Sequence, residues 1–164
     1  MKIQRLHHAA YRCRDSEETR QFYEDFLGLP LAVTLELGET MTGRSCAFLH
    51  TFYEMDDGSY LAFFEAPDMP YEFQEWHDFD LHIALEVKRE HMMAMKQKGE
   101  GLGMEVRGVS DHDFIHSIYF RDPNGYVVEL TCKTETHDAA TDKATNGARD
   151  KLNRWTAAKS KAAA

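Results

Sequence analysis

Two segments of the chain follow the same plan, and this repetition limits the fold more than any other feature of the sequence. One segment begins at His8 and closes in a strand after the turn Asp57-Gly58, and the other begins at His82 and closes in a strand after Asn124-Gly125. Between these ends, each segment has the patterns of a helix and two further strands. The repeat therefore predicts one module of strand, helix and three strands, folded twice.

Local signals and changes in composition give the expected boundaries. Asp15, with Glu18 three residues later, is typical of the start of a helix. The expected fold class is α+β, with module one over about residues 3–67 and module two over about 78–133. A loop at 66–79, rich in proline, acidic and aromatic residues, is expected to join the modules.

The C-terminal part of the sequence differs from the rest. Residues 1–135 are expected to form one domain, and 136–164 a polar tail with a helix over 143–158. Residues 141–164 contain six Lys and Arg against two Asp and Glu, a balance typical of a solvated helix. The tail is therefore not assigned a partner from sequence.

Composition and charge exclude several classes of protein. The net charge of −9 argues against nucleic acid as a partner, because phosphate binding requires a basic surface. No apolar run approaches the roughly 20 residues of a membrane helix, and the N-terminus lacks the apolar core of a signal peptide. A cytoplasmic enzyme without a membrane partner is expected. Three cysteines without CxxC spacing are expected to be small buried residues: Cys13, Cys46 and Cys132.

Two motifs carry a resemblance to a known family, and it extends over about residues 3–133. The first is His8 and Asp15 followed by Gln21-Phe22-Tyr23-Glu24-Asp25-Phe26-Leu27-Gly28-Leu29, and the second is the segment 117–129, SIYFRDPNGYVVE. With these motifs the chain resembles the vicinal oxygen chelate superfamily, which includes glyoxalase I, extradiol dioxygenases, fosfomycin resistance enzymes and methylmalonyl-CoA epimerase. The resemblance implies two βαβββ modules whose sheets curl around a metal cleft.

The resemblance also implies a ligand set for one divalent metal ion. Ligands come from the first and last strands of each module, which gives His8, His82 and Glu129, with a fourth position near Glu65. A carboxylate in the apolar strand that contains Glu129 would be costly to bury without a partner, and metal coordination would remove that cost.

The position of Glu65 leaves two ligand sets open. Aligning Tyr60 with Tyr126 places Phe63, not Glu65, opposite Glu129, although a β-bulge could still bring Glu65 into the site. Two histidines and one carboxylate alone form the facial triad of non-haem Fe(II) enzymes. With Glu65 added, the set resembles that of glyoxalase I and implies Ni, Zn, Co or Mn.

Features of the second module favour a dioxygenase. Tyr119 lies ten residues before Glu129, as in the extradiol dioxygenase motif Tyr-x-x-Asp-Pro-x-Gly-x-x-x-Glu. The resemblance implies that the Tyr119 hydroxyl orients or deprotonates the substrate, with His112 or His116 as an acid–base group. The alternative is a core aromatic residue and two loop histidines. The leading prediction is an Fe(II)-dependent extradiol-type dioxygenase that acts on a small aromatic vicinal diol.

Two other functions stay open from the sequence. A glyoxalase I-like lyase or isomerase would need cations for a thiol-conjugate substrate. The candidate cations are Arg12, Arg14, Arg44 and Arg107. A non-catalytic protein that sequesters its ligand, as bleomycin resistance proteins do, would not need the three metal ligands. The resemblance further implies a homodimer.

Overall fold

The computed structural model of the chain describes residues 2–39, 43 and 45–162. The strands are β1 (His8–Arg12), β2 (Leu31–Glu39), β3 (Ser45–Glu54), β4 (Tyr60–Glu65), β5 (His82–Glu86), β6 (Arg107–Asp111), β7 (Ile115–Arg121) and β8 (Val127–Lys133). The helices are α1 (Ser16–Arg20), which continues as a π-helical segment (Gln21–Phe26), α2 (Arg89–Gly101), α3 (His137–Thr141) and α4 (Ala148–Ala162).

The strands form two separate four-stranded sheets with the same order. The first sheet runs β1-β4-β3-β2 and the second runs β5-β8-β7-β6. In the first sheet β1 pairs with β4 in parallel, whereas β3 is antiparallel to both β4 and β2. The predicted α+β fold of two βαβββ modules with a C-terminal helix is confirmed. By contacts, the chain divides into two compact units, Met1–Ile83 with Phe120–Val128, and Ala84–Tyr119 with Glu129–Ala164.

The helix of module one begins where the sequence predicts and covers one face of the first sheet. Asp15 accepts a hydrogen bond at Oδ1 from the backbone N–H of Glu18, at 2.8 Å, which satisfies a free amide of the first turn. Tyr23 in the π-helical segment lies with its ring 4.6 Å from that of Phe63 and 5.6 Å from that of Tyr53. All three aromatic residues are fully buried, so this covered face forms the core of the module.

The turn between β7 and β8 is part of the first unit and is hydrogen-bonded to the helix of module one. The carboxylate of Asp122 accepts hydrogen bonds from the backbone N–H groups of Asn124 and Tyr126 and from the hydroxyl of Tyr23. Burial raises the pKa of Asp122, and these donors act against that increase. The motif Asp122-Pro123-Asn124-Gly125 thus forms a buried hydrogen-bonded turn, which explains its strong sequence signal.

The tail helix begins later than predicted. α4 starts at Ala148 because Gly147 has a φ of +63° and the Asn146 side chain accepts a hydrogen bond from the Ala148 N–H, at 2.9 Å. The short α3 occupies part of the preceding polar stretch. Among the described residues, no helix is long and apolar enough to cross a membrane.

The cysteine prediction is confirmed for two of the three residues. Cys13 and Cys132 are free and buried, and the side chain of Cys46 lies outside the described part. Burial raises the pKa of Cys13 to about 11.

We therefore expect Cys13 to resist alkylation in the native protein. Because only the thiolate is nucleophilic, a thiol with a raised pKa stays protonated and unreactive at pH 8. Iodoacetamide labelling followed by peptide mass spectrometry should show slow modification of Cys13 that becomes fast in urea. Rapid labelling of Cys13 in the folded protein would contradict its buried position.

Candidate functional site

The first sheet has an open face opposite the helix. Residues paired across neighbouring strands lie on the same side of a sheet, and sides alternate along each strand. The strand register pairs His8 with Tyr60, Ala62 with Phe52, and His50 with Phe64. The open face therefore carries His8, Ala10, Arg12, Val33, Leu35, Leu37, His50, Phe52, Ala62 and Phe64.

His8 lies at the edge of an aromatic patch on this open face. Its ring centroid is 5.5 Å from that of Phe52 and 6.5 Å from that of His50. Its Nδ1 is 2.9 Å from Nδ1 of His7, so one of these nitrogens donates and the other accepts. His8 is exposed. The structure thus places one predicted ligand on an accessible, largely apolar surface.

Sequence reasoning missed His50, which lies on the same face. Its ring stacks on that of Phe64, with centroids 3.5 Å apart, and only 6% of the residue is exposed. Nδ1 is 3.0 Å from the carbonyl oxygen of Phe63, which fixes Nδ1 as the donor. Burial lowers the pKa of His50, which favours the neutral ring. Only the strand register, which the sequence does not display, connects His50 with His8.

Arg12 brings a positive charge to the same face. Its guanidinium donates a hydrogen bond to the carbonyl of Met69, whereas its Nε is buried with no hydrogen-bond partner in the described part of the chain. A buried donor without a partner is costly, and an anionic ligand would satisfy it. Arg44, another cation named from sequence, lies outside the described residues.

Glu65 lies on the covered face. It pairs with Leu49, one position beyond the pair of His50 and Phe64, so its side chain is directed away from the face that carries His8. Its Oε2 accepts a hydrogen bond from the Ser16 N–H at the start of α1, at 2.8 Å. In this position Glu65 supports the helix and lies on the side of the sheet opposite to that of His8.

In the second unit, Glu129 is the buried carboxylate. It is 5% exposed, and its Oε1 accepts a hydrogen bond from the Ser117 hydroxyl. An ion pair of 2.9 Å joins Lys133 to Glu86. Side chains alternate between the two sides of a strand, so Glu129 lies on the same side of β8 as Lys133, four residues later. Since Lys133 contacts Glu86, this is also the side on which Glu86 and Ala84 of β5 lie.

The position of Glu129 in its strand differs from the one that the turn alignment predicts. Cys13 N–H donates to the carbonyl of Phe64 in module one, and Val87 N–H donates to that of Thr131 in module two. Phe64 and Thr131 therefore occupy equivalent positions in β4 and β8. Glu129 lies two residues before Thr131, so its counterpart in module one is Ala62, two residues before Phe64. Aligning the two tyrosines was therefore one residue out of register, and module one has no carboxylate at the equivalent place.

Tyr119 and His112 form a hydrogen-bonded pair in this unit. Nε2 of His112 is 2.8 Å from the Tyr119 hydroxyl, and the guanidinium of Arg107 lies 5.3 Å from the centre of the Tyr119 ring. Tyr119 is two residues from Ser117, so both are on the side of β7 where Ser117 reaches Glu129. The unit therefore combines a buried carboxylate, a hydroxyl–imidazole pair and a cation on one face.

His116 lies on the other side of β7. Its Nδ1 accepts a hydrogen bond from the Arg89 guanidinium, at 2.9 Å, and its Nε2 is 3.6 Å from a carboxylate oxygen of Asp111. Of the two histidines named from sequence, the structure pairs His112, and not His116, with Tyr119.

The remaining predicted ligand, His82, begins β5 and is exposed. Its Nδ1 is 2.7 Å from the carbonyl oxygen of Asp78, which accepts the Nδ1 proton. In this tautomer Nε2 carries the lone pair, which is the form in which a neutral imidazole binds a metal.

Across the described ranges 2–39, 43 and 45–162, no three His, Cys, Asp or Glu side chains are arranged as a ready metal-binding group. The structure brings His8 together with His50 and Phe52, and Glu129 together with Ser117. The full ligand set named from sequence stays a prediction.

Comparison with known proteins identifies the family. The family model of the Glyoxalase/Bleomycin resistance protein/Dioxygenase superfamily matches residues 5–130, from before β1 to the middle of β8. The chain belongs to this superfamily. The chain is similar to the metallothiol transferase FosB of Bacillus licheniformis, with 31% identity over 134 residues, covering 79% of this chain and 75% of FosB.

Solved structures of other proteins share the fold. A mutant of the fosfomycin resistance protein FosX from Listeria monocytogenes, in complex with Mn(II) and 1S,2S-dihydroxypropylphosphonic acid, aligns with a TM-score of 0.62 at 20% identity, covering 84% of this chain and 99% of FosX. TnmS3, an antibiotic-binding protein from Streptomyces sp. CB03234, aligns with a TM-score of 0.59 at 19% identity, covering 82% and 99%. The fold thus serves a metal-containing resistance protein and a ligand-binding protein.

Proposed function

We propose that this chain is a divalent-metal enzyme that acts on a small molecule and that His8, His82 and Glu129 are its metal ligands. The tautomer of His82 carries this proposal, because a histidine that donates Nδ1–H to a backbone carbonyl is oriented as metal-binding histidines are. Two imidazoles and one carboxylate suit several divalent transition metals. Glu65 is left out, because its carboxylate accepts the Ser16 N–H on the covered face.

A bound metal would polarise a substrate oxygen and lower the pKa of a group attached to it. Ser117 and the Tyr119–His112 pair, on the same side of β7, have different roles. The Ser117 hydroxyl fixes one carboxylate oxygen of Glu129. The Tyr119 hydroxyl, joined to His112, can give a proton to a substrate oxygen or remove one from it, and His112 relays that proton.

The leading reaction is transfer of a thiol to a small electrophile. The similarity to FosB, which is 31% identical and is named a metallothiol transferase, supports this reaction. The buried Nε of Arg12, which has no partner in the described part, supports an anionic group on one of the substrates. In this reaction the thiol loses its proton, its sulfur bonds to an electrophilic carbon, and a carbon–oxygen bond breaks. Tyr119 supplies the proton that the released oxygen gains, and the proton lost by the thiol restores Tyr119 through His112.

An extradiol-type dioxygenase is the second candidate. The hydrogen bond between Tyr119 and His112 supports it, because the resemblance to extradiol dioxygenases implies a substrate-binding tyrosine hydroxyl with His112 or His116 as an acid–base group. Here the Tyr119–His112 pair would accept a proton from a hydroxyl of an aromatic vicinal diol. The glyoxalase-like activity has no observation of its own in this chain. The homodimer and the cytoplasmic location stay predictions.

Two assays on protein purified without oxygen separate these candidates. For a thiol transferase, we expect disappearance of free thiol in the presence of a small epoxide and Mn(II), with no oxygen uptake. A dioxygenase requires bound iron and oxygen uptake with a panel of catechols. Metal analysis by mass spectrometry gives the metal content in both cases. Stoichiometric metal binding without turnover in either assay would contradict both reactions.

A further inference from the structure

The C-terminal helix α4 is fully exposed along its described side chains. Residues 148–159 are all exposed, including Leu152 at 54% and Trp155 at 66%. A 15-residue helix without tertiary packing is only marginally stable in water. An exposed tryptophan and leucine on such a helix therefore indicate a surface that another element covers.

The apolar side of α4 is also basic. At 100° per residue, Leu152 and Trp155 lie on one side, and Lys151 and Lys159 lie beside them. Arg154 lies on the opposite side of the helix. None of these three cations forms an ion pair in the part of the chain that the structure describes.

A second exposed segment has the opposite charge and a matching apolar character. We call residues 67–80, between β4 and β5, the acidic loop. Phe79 is 93% exposed and Phe73 48% exposed. Carboxylates flank both rings, and three of them are exposed and make no ion pair with another described residue: Glu72, Glu75 and Asp80. The loop contains no lysine or arginine.

We propose that α4 of one chain docks on the acidic loop of a second copy of this chain. Leu152 and Trp155 would pack on Phe73 and Phe79, and Lys151 would face Glu75. The distribution of charge favours a second copy as the partner. The tail (141–164) contains six Lys and Arg and two Asp and Glu, so its net charge is +4. Because the whole chain has a net charge of −9, residues 1–140 have a net charge of −13. That remainder attracts the tail and repels an anionic membrane or a nucleic acid.

Such a contact is reciprocal in a two-fold dimer. Each chain contributes one helix and one loop, so two identical contacts form at once. The two contacts act together, and the gain in affinity from simultaneous engagement explains how two small patches suffice. No residue of α4 or of its proposed contacts is a proposed metal ligand, although the Asp78 carbonyl of the acidic loop accepts the Nδ1 proton of His82.

The test uses the full chain with Trp76→Phe, so that Trp155 is the sole tryptophan. We expect blue-shifted Trp155 emission that moves to the red in Lys151→Glu and in Glu75→Lys, each of which weakens the contact roughly tenfold through like-charge apposition. The matched controls are Arg154→Glu, on the opposite side of α4, and Glu90→Lys, an exposed residue of α2. Both controls should keep the blue-shifted emission.

Mixing decides whether the contact joins two copies. The Lys151→Glu and Glu75→Lys chains, refolded together, should regain the blue-shifted emission that each lacks alone. Recovery only when both substitutions are in one chain would overturn the proposal, because the helix would then dock within its own chain. Fully solvent-exposed emission in every variant, or a blue shift that requires anionic lipid vesicles, would overturn it as well.

Discussion

Replacing His82 with alanine is expected to lower the affinity of the protein for Mn(II) by more than about 100-fold, because a lost ligand costs at least as much as a lost partner of a ligand. The change should leave the fold intact. His82 is exposed at the start of β5, so little packing is lost on its removal. Isothermal titration calorimetry with Mn(II) measures the affinity, and urea unfolding of the metal-free protein measures stability.

His91→Ala is the matched control for this loss. His91 is an exposed histidine of α2, so its removal changes the same chemical group without touching the proposed ligands. We expect wild-type affinity in this control and an unchanged free energy of unfolding in both variants. If the His82→Ala protein bound Mn(II) as tightly as the wild type, the proposed ligand set would be wrong.

The repeated plan of the sequence predicts the fold well because each element carries its own local signal. The cap at Asp15, the turn at Asp122-Pro123-Asn124-Gly125 and the alternation in the strands act over a few residues, and the structure has the corresponding elements. The two four-stranded sheets with the same order follow from that repetition. Caps, turns and strands that depend on residues close together in the chain can therefore be predicted from the sequence.

The face on which a side chain lies depends on register, which is a long-range property. A shift of one residue reverses the face of every side chain in a strand. Aligning Tyr60 with Tyr126 was wrong by one residue, because it placed Phe63 instead of Ala62 opposite Glu129. The bonds Cys13 to Phe64 and Val87 to Thr131 reveal the true correspondence. No local pattern in the sequence contains that information.

His50 and α4 were hidden for related reasons. His50 becomes part of the open face only through its pairing with Phe64, which is 14 residues away along the chain. The start of α4 was predicted too early because the polar stretch before it contains good helix formers. Gly147, with a φ of +63°, and the Asn146 cap instead fix the start at Ala148.

Gly125→Ala is expected to destabilise the protein by more than about 3 kcal/mol, because the added methyl group has no room and the backbone conformation disfavours it. Gly125 has a φ of +97°, and a Cβ there would lie in contact with the carbonyl oxygen of Gln74 and 2.7 Å from its carbonyl carbon. Gln74 N–H also donates to the carbonyl of Asn124, at 3.3 Å, so the loop segment cannot move away without losing that bond.

Gly28→Ala separates the two causes of this destabilisation. Gly28 has a φ of +87°, similar to that of Gly125, but a Cβ there would meet no atom within 4 Å. This control should therefore cost only about 1 kcal/mol, which is the backbone contribution alone. Urea denaturation of both variants gives the difference, which measures the close approach of Gln74 to the turn before β8. If both variants lost the same free energy of unfolding, the loop would not be held against Gly125. The turn that leads to Glu129 would then depend on its own hydrogen bonds alone.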